Sequence, residues 1–271
     1  MNTKKSKICY VTAFLDLDRK NWKSYSRSWE KYLNDFMPYL YLFENNDTTN
    51  YEMIIYIDEK FYLEILKLVK KELPIKIVKI NRKYLKDISI PWNRLEKEEE
   101  IMKSAKFKNM LKHRLEHPEV CKAEYTLINH AKIDFVVDSM RISNAEYFCW
   151  TDFGYFSKHY NIPSKLLDFN KLNLEKVNYT TINSFKLEYT NLFYVLCKAP
   201  DFIGGFFFFG NKKVLKEYQK LYHKIHLELQ EQNIVDDDQH LALLCYLKNP
   251  NLFELRNLNG WHKALLHFQL K

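Results

Sequence analysis

The sequence predicts an α/β protein whose mostly parallel sheet is flanked by helices, and three observations carry that reading. Apolar runs rich in β-branched and aromatic residues alternate with helical periodicity along the first 80 residues. The run that closes at Trp150 stops abruptly in Thr151, Asp152, Phe153 and Gly154, as a buried strand does when it delivers a carboxylate to a tight turn at its C-terminal edge. The 271 residues, 46% of them hydrophobic, suffice to bury one large core, so a single domain over 1–271 is expected.

Residues 7–14 (KICYVTAF) read as a first buried strand, and Asp16, Asp18 and Arg19 after it fall at the edge where open α/β sheets bind ligands. From 22 to 36 the residues Tyr25, Trp29, Tyr32, Leu33 and Phe36 recur at helical spacing, and Pro38 is expected to end the helix. Arg19, Lys23 and Arg27 near its start are read as solvated charges rather than phosphate ligands. A second strand over 53–57 ends in Asp58, a helix follows over 59–72, and a third strand over 75–80 comes after Pro74. Such β-α-β-α-β alternation requires right-handed crossovers and a parallel arrangement.

A helix over 94–117 carries Glu96, Glu98, Glu99 and Glu100 at its start and Lys112, His113 and Arg114 at its end, as the helix dipole favours, and this charge run is read as a solvated face. A second helix over 122–140 feeds into the central strand and brings Asn129, His130 and Lys132 toward a pocket. Between 154 and 192, including Lys158, His159 and Tyr160, periodicity is lost, which predicts an insertion of loops and small strands shaping specificity at the ligand edge. Strands are expected over 191–197, within 200–210 (PDFIGGFFFFG) and over 253–255, with an amphipathic helix over 212–231. In 233–247 three acids, Asp236, Asp237 and Asp238, precede another helix and exceed what capping needs.

Composition narrows the function. No run approaches the ~20 apolar residues of a membrane helix, and the basic start lacks a signal peptide's apolar stretch, so a cytoplasmic protein is expected. Five dispersed cysteines without CxxC spacing suggest neither a disulfide framework nor a zinc site. A formal charge of +8 suits nucleic acid, an anionic membrane surface or a phosphorylated substrate, but no nucleic-acid-binding signature accompanies it. GxGxxG and GxxxxGK[ST] are both absent, so a nucleotide must be held without a glycine-rich cradle. Asp152-Phe153-Gly154 spells the kinase metal motif, yet no glycine-rich loop or HRD sequence precedes it. Only five glycines occur, at 154, 204, 205, 210 and 260, and all lie beside these chemical-looking segments.

Brought into one pocket, these residues suit a nucleotide sugar, whose diphosphate must be neutralised when bound and when it leaves. Asp152 is the candidate metal ligand with His262 as a second, Lys132 adds charge, and an acid among 236–238 can deprotonate an acceptor or stabilise a cationic sugar. The Gly204-Gly205 strand would wall the donor sugar. The rival reading is a basic α/β module that binds an anionic polymer or phosphorylated glycan, its acids merely capping helices.

In this order, VTAF at 11–14, WTDFG at 150–154, GGFFFFG at 204–210, DDDQ at 236–239 and GWH at 260–262 resemble the HtrL/YibB-type family of bacterial proteins associated with surface-polysaccharide assembly. The overall order is also similar to GT-A glycosyltransferases. The resemblance implies a GT-A-like (Rossmann-like) domain with a nucleotide-binding half over about 1–152 and an acceptor-binding, catalytic half over about 153–271. It implies a glycosyltransferase using Mn2+ or Mg2+ and a nucleotide-diphosphate sugar, acting on a surface glycan or lipid-linked glycan, with peripheral contact at the inner face of the membrane. Asp152 then takes the role of the metal-binding DxD acid, and Thr12, Ala13 and Phe14 line the base, with Asp58, Lys132, Gly204 and Gly205 among the donor-binding residues. Asp237 and Asp238 fall at the acidic catalytic position, and His262 resembles the late histidine that closes on the diphosphate. One departure stands out: Trp150 and Gly154 flank Asp152 where a second acid belongs.

Overall fold

A computed structural model of the chain describes residues 7–111, 114–157 and 161–271; Lys112, His113, Lys158, His159 and Tyr160 lie outside them. In chain order the strands are β1 (Ile8–Phe14), β2 (Tyr51–Asp58), β3 (Ile75–Ile80), β4 (Tyr147–Thr151), β5 (Val177–Thr181), β6 (Ile203–Asn211) and β7 (Phe253–Asn257). All join one sheet in the order β3-β2-β1-β4-β6-β5-β7. Four neighbouring pairs are parallel, and only β6 runs antiparallel, to both β4 and β5.

The helices are α1 (Trp29–Glu44), α2 (Tyr62–Leu68), α3 (Arg82–Ile88), α4 (Leu95–Lys103), α5 (Ala105–Met110), α6 (Pro118–Cys121), α7 (Ala123–His130), α8 (Lys132–Ser139), α9 (Leu192–Lys198), α10 (Lys212–Glu231), α11 (Asp238–Lys248) and α12 (Ala264–Phe268). Side chains alternate across the sheet because the strand period is two. Cys9 and Val11 of β1 join one core with Ile54, Tyr56, Phe135 and Leu215, while Ile8 and Tyr10 join the other with Phe36, Met53, Ile55 and Phe268. Both faces are therefore covered, which is why the parallel strands read as continuous apolar runs. No helix of the described residues is long and apolar enough to cross a membrane.

Four expectations are corrected. The first helix starts at Trp29, where the Ser28 hydroxyl accepts from the Lys31 amide at 3.4 Å, and it runs through Pro38 to Glu44. The proline ring is buried among Phe36, Tyr39 and Leu40, and that packing offsets the lost helical bond. The helix expected over 94–117 breaks at Ser104, which caps α5 by accepting from the Phe107 amide at 3.2 Å. The helix over 122–140 is divided at Ala131 into α7 and α8. The run 191–197 is helix α9 rather than strand: Asn191 caps it, and Val195 and Leu196 supply the buried face. The strand beside β6 is Val177–Thr181, whose five residues are all buried, within the stretch read from sequence as loops and small strands.

Candidate functional site

The chain leaves β1 toward β2 and β3 on one side and returns with β4 on the other, so the strand order reverses between β1 and β4. A crevice opens at such a switch point, outside the carboxyl ends of the strands. There the structure has a cleft of about 390 Å³, walled by Ala13 and Phe14 from β1, Arg27, Trp29 and Tyr32 around the start of α1, Lys132 from α8, Asp152 after β4, and His262.

Asp152 is fixed through its own backbone. Its amide donates to the Phe206 carbonyl at 3.2 Å, and its carbonyl accepts from the Tyr39 hydroxyl at 3.1 Å. One carboxylate oxygen, Oδ1, accepts from the Trp150 indole at 2.8 Å and lies 3.0 Å from Lys132 Nζ. The Trp150 that replaces an acid thus orients the acid that remains. Lys132 Nζ also donates to Asp238 Oδ2 at 2.8 Å and to the Gly205 carbonyl at 3.0 Å. Burial favours the neutral amine, yet the carboxylates on either side outweigh it and hold Lys132 above the ordinary lysine range. Burial pushes Asp238 upward against the pull of the same ammonium.

The glycine at 205 is required by this arrangement, because a Cβ there would sit 2.3 Å from Asp238 Oδ2 and 2.9 Å from Gln239 Cγ. A Cβ on Gly204 would meet the Phe206 ring at 2.5 Å. Their close approaches are to protein side chains, and neither glycine lines the cleft.

Of the remaining sequence candidates, Ala13 and Phe14 line the cleft, whereas Thr12 is fully buried behind them. Asp58 is occupied in shaping loops: its carboxylate accepts from the amides of Asp16 and Lys60, both at 3.0 Å. Asp237 caps α11, accepting from the His240 amide at 2.8 Å, and its carboxylate faces His240 rather than the cleft. Burial raises Asp237 to about 7, against the pull of His240. His240, despite its burial, is raised to about 9 by Asp236 and Asp237. His262 reaches the cleft with its ring against Phe206 and Tyr155 at centroid distances of 4.6 and 5.2 Å.

Sequence reasoning passed over two arginines of this wall. Arg19 donates to the Tyr32 hydroxyl at 2.6 Å and the Tyr25 carbonyl at 2.8 Å, and its guanidinium lies 5.2 Å from the centroids of both Trp22 and Tyr125. Arg27 lies 4.0 Å from the Tyr32 centroid, pairs with the buried Asp35 and approaches the Gly154 carbonyl at 3.4 Å. Neither is a freely solvated charge, while Lys23 lies outside the cleft. The available signal was the aromatic spacing around them, Trp22, Tyr25, Trp29 and Tyr32, which suits planar guanidinium groups.

For a divalent ion, the fit rests on a single acid. Asp152 Oδ1 is engaged, but the side chain is 34% exposed and lines the same cleft as His262. That donor set suits Mg2+ or Mn2+ held partly by substrate phosphates, not a complete protein cage.

A sheet of this order, with an acid at the end of β4 facing a cleft at the switch point, defines a GT-A-like fold. The crystal structure of core-mannan synthase A from Aspergillus fumigatus, in its Mn/GDP form, superposes with a TM-score of 0.55 at 10% identity, covering 100% of this chain and 80% of that one. By sequence, residues 6–269 match the model of the HtrL_YibB family, described as bacterial proteins of unknown function. Protein HtrL of Escherichia coli (strain K12) is 31% identical over 265 residues, spanning 94% of this chain and 89% of the relative. The chain belongs to the HtrL_YibB family.

Proposed function

We propose that this protein is a glycosyltransferase that moves a sugar from a nucleotide-diphosphate sugar to a hydroxyl of a surface glycan. The observation that carries the reading is the Asp152–Lys132–Asp238 array, ordered by Trp150 and Gly205, at the switch-point cleft. The GT-A-like fold and the Mn/GDP state of its structural neighbour support it.

In this reading the half before about residue 152 holds the nucleotide, and the half after it shapes the acceptor side. The diphosphate lies between Arg19 and Lys132. Arg19 offers a guanidinium whose fork is pre-set by Tyr32 and the Tyr25 carbonyl and which has no carboxylate partner among the described residues. Lys132 places a fixed positive charge where the leaving diphosphate gains negative charge. A divalent ion held by Asp152, with His262 beside it, would supply further charge neutralisation there. Asp238 keeps Lys132 protonated and in position, and this is the role we give the acidic catalytic position; Asp237 caps the helix that carries Asp238.

A thermal-shift screen against UDP, GDP, CMP and dTDP sugars, each with Mn2+ and with chelator, tests the proposal. A ligand at about 100 times its Kd stabilises the fold by about 2.7 kcal/mol. One nucleotide class should raise the melting temperature in wild type and not in Asp152→Asn, and product analysis with that donor should show transfer to a glycan acceptor. Cooperative melting indifferent to every nucleotide would refute it.

A further inference from the structure

Away from the cleft, α4, α7 and α10 converge on three buried side chains that the proposed chemistry does not use: Glu98 at 0% exposure, His130 at 1% and His226 at 3%. One ligand-type atom from each lies within 4.8 Å of the others, and His226 Nε2 is 3.8 Å from Glu98 Oε2. A buried polar group without a partner is rare and asks for a physical reason. Here several such atoms meet. Glu98 Oε1 and both ring nitrogens of His226 have no hydrogen bond. His130 Nε2 also makes no well-aligned bond, the Asp236 backbone being the polar neighbour of that ring.

Each of two members is oriented by a partner that leaves an atom free. Tyr222 hydroxyl meets His130 Nδ1 at 2.7 Å, leaving Nε2 without a side-chain partner. Gln230 Nε2 donates to Glu98 Oε2 at 2.5 Å, leaving Oε1. Gln230 is itself held by Arg94, whose Nε donates to Gln230 Oε1 at 3.0 Å. Imidazole–hydroxyl and carboxylate–amide contacts of this kind fix tautomer and direction in metal sites.

We propose that Glu98, His130 and His226 form a structural site for a zinc-type divalent cation that ties α4, α7 and α10 together. Two imidazoles and a carboxylate are a ligand set Zn2+ accepts, with a fourth position left for water. Bond lengths near 2.0–2.2 Å put neighbouring ligand atoms about 3.3 Å apart, so side-chain shifts of about 1 Å close the observed cluster around the ion. Other charges near the cluster are Arg94, which keeps its charge while donating to the neutral Gln230 amide, Lys132, which Asp152 and Asp238 engage, and His223, which Asp134 engages at 2.7 Å. None competes as a ligand.

The test uses the full chain, stripped with chelator, desalted and titrated with Zn2+ alone, while metal retained per chain and melting temperature are read. We expect one equivalent of zinc retained through desalting and a higher melting temperature. His226→Gln and Glu98→Gln should each lose that equivalent, whereas Asp152→Asn, which alters only the cleft, should keep it. Should the buried variants fail to fold, Co2+ in the wild-type protein decides: intense visible bands of a low-coordinate site are expected. A cooperatively melting wild type that retains no zinc and leaves Co2+ with its aqueous spectrum overturns the proposal. So does zinc kept in His226→Gln, whatever Asp152→Asn retains. Because the readout is metal content and not turnover, the outcome is independent of whether the cleft transfers sugar.

Discussion

Replacing Lys132 with methionine keeps most of the side chain's shape and removes its charge, leaving Asp238 buried without its cation. At about 3 Å and an effective dielectric constant of about 20, each ion pair of Lys132 is worth ~5 kcal/mol of attraction, most of it cancelled by the desolvation of both partners. What remains measurable is the cost of stranding a buried carboxylate, about 3–5 kcal/mol. Asp238, with 13% of its side chain exposed, carries most of that cost, because Asp152 at 34% can be rehydrated. Urea denaturation of Lys132→Met should therefore show a loss of about 3–5 kcal/mol near pH 7. The penalty should shrink toward pH 5, since the variant's buried Asp238 has a still higher pKa, and a raised carboxyl loses stability as pH rises from its unfolded value toward its folded one. In the double variant Lys132→Met/Asp238→Asn, the stranded charge is gone and about 2 kcal/mol or more should return, a coupling read from the double-mutant cycle. A single-variant loss under about 1 kcal/mol with no coupling to Asp238 would refute the array, and with it the role of Lys132 at the cleft.

Three further outcomes follow from the same geometry. Gly205→Ala, whose Cβ would meet Asp238 Oδ2 at 2.3 Å, should lose about 1–3 kcal/mol in urea denaturation and lower activity through displacement of Asp238. His240 has a folded pKa of about 9, above its unfolded value, so its stabilising contribution is full below about pH 6.5 and lost as pH rises through about 9. His240→Gln should accordingly flatten the fall in unfolding free energy across that window, and an unchanged slope would show that the cluster with Asp236 and Asp237 does not hold its proton. Arg19→Ala should weaken the nucleotide that gives the largest thermal shift by about tenfold, and Arg19→Lys should restore only part, because a point charge cannot reproduce the fork seated among Tyr32, Trp22 and Tyr125; titration calorimetry reads both.

What the sequence determined by itself was the architecture and the acid at its centre. Apolar runs at 7–14, 53–57 and 75–80 became β1, β2 and β3 within a residue or two at most ends: β1 and β2 are buried on both faces and have few polar positions to blur the signal, and Pro74 bounds the half-exposed edge strand β3. Asp152 was legible because it ends such a run, and Gly205 because glycine is scarce in this chain and β6 could carry it only where something else needed the space. The run 191–197 was not legible as helix: NLFYVLC is apolar enough for either period, and the Asn191 cap and the place between β6 and β7 taken by Val177–Thr181 decided between them. The division of labour among three adjacent aspartates was likewise closed to sequence. Capping geometry turns Asp237 to the helix amides and Asp236 to His240, and only the 100° step to the next helical residue carries Asp238 to Lys132, 106 positions away in the chain. Tertiary structure also decided that Arg19 and Arg27 belong to the cleft. Their aromatic neighbours come from Tyr32 and Tyr125, and a charge looks solvated in sequence until the fold folds rings over it.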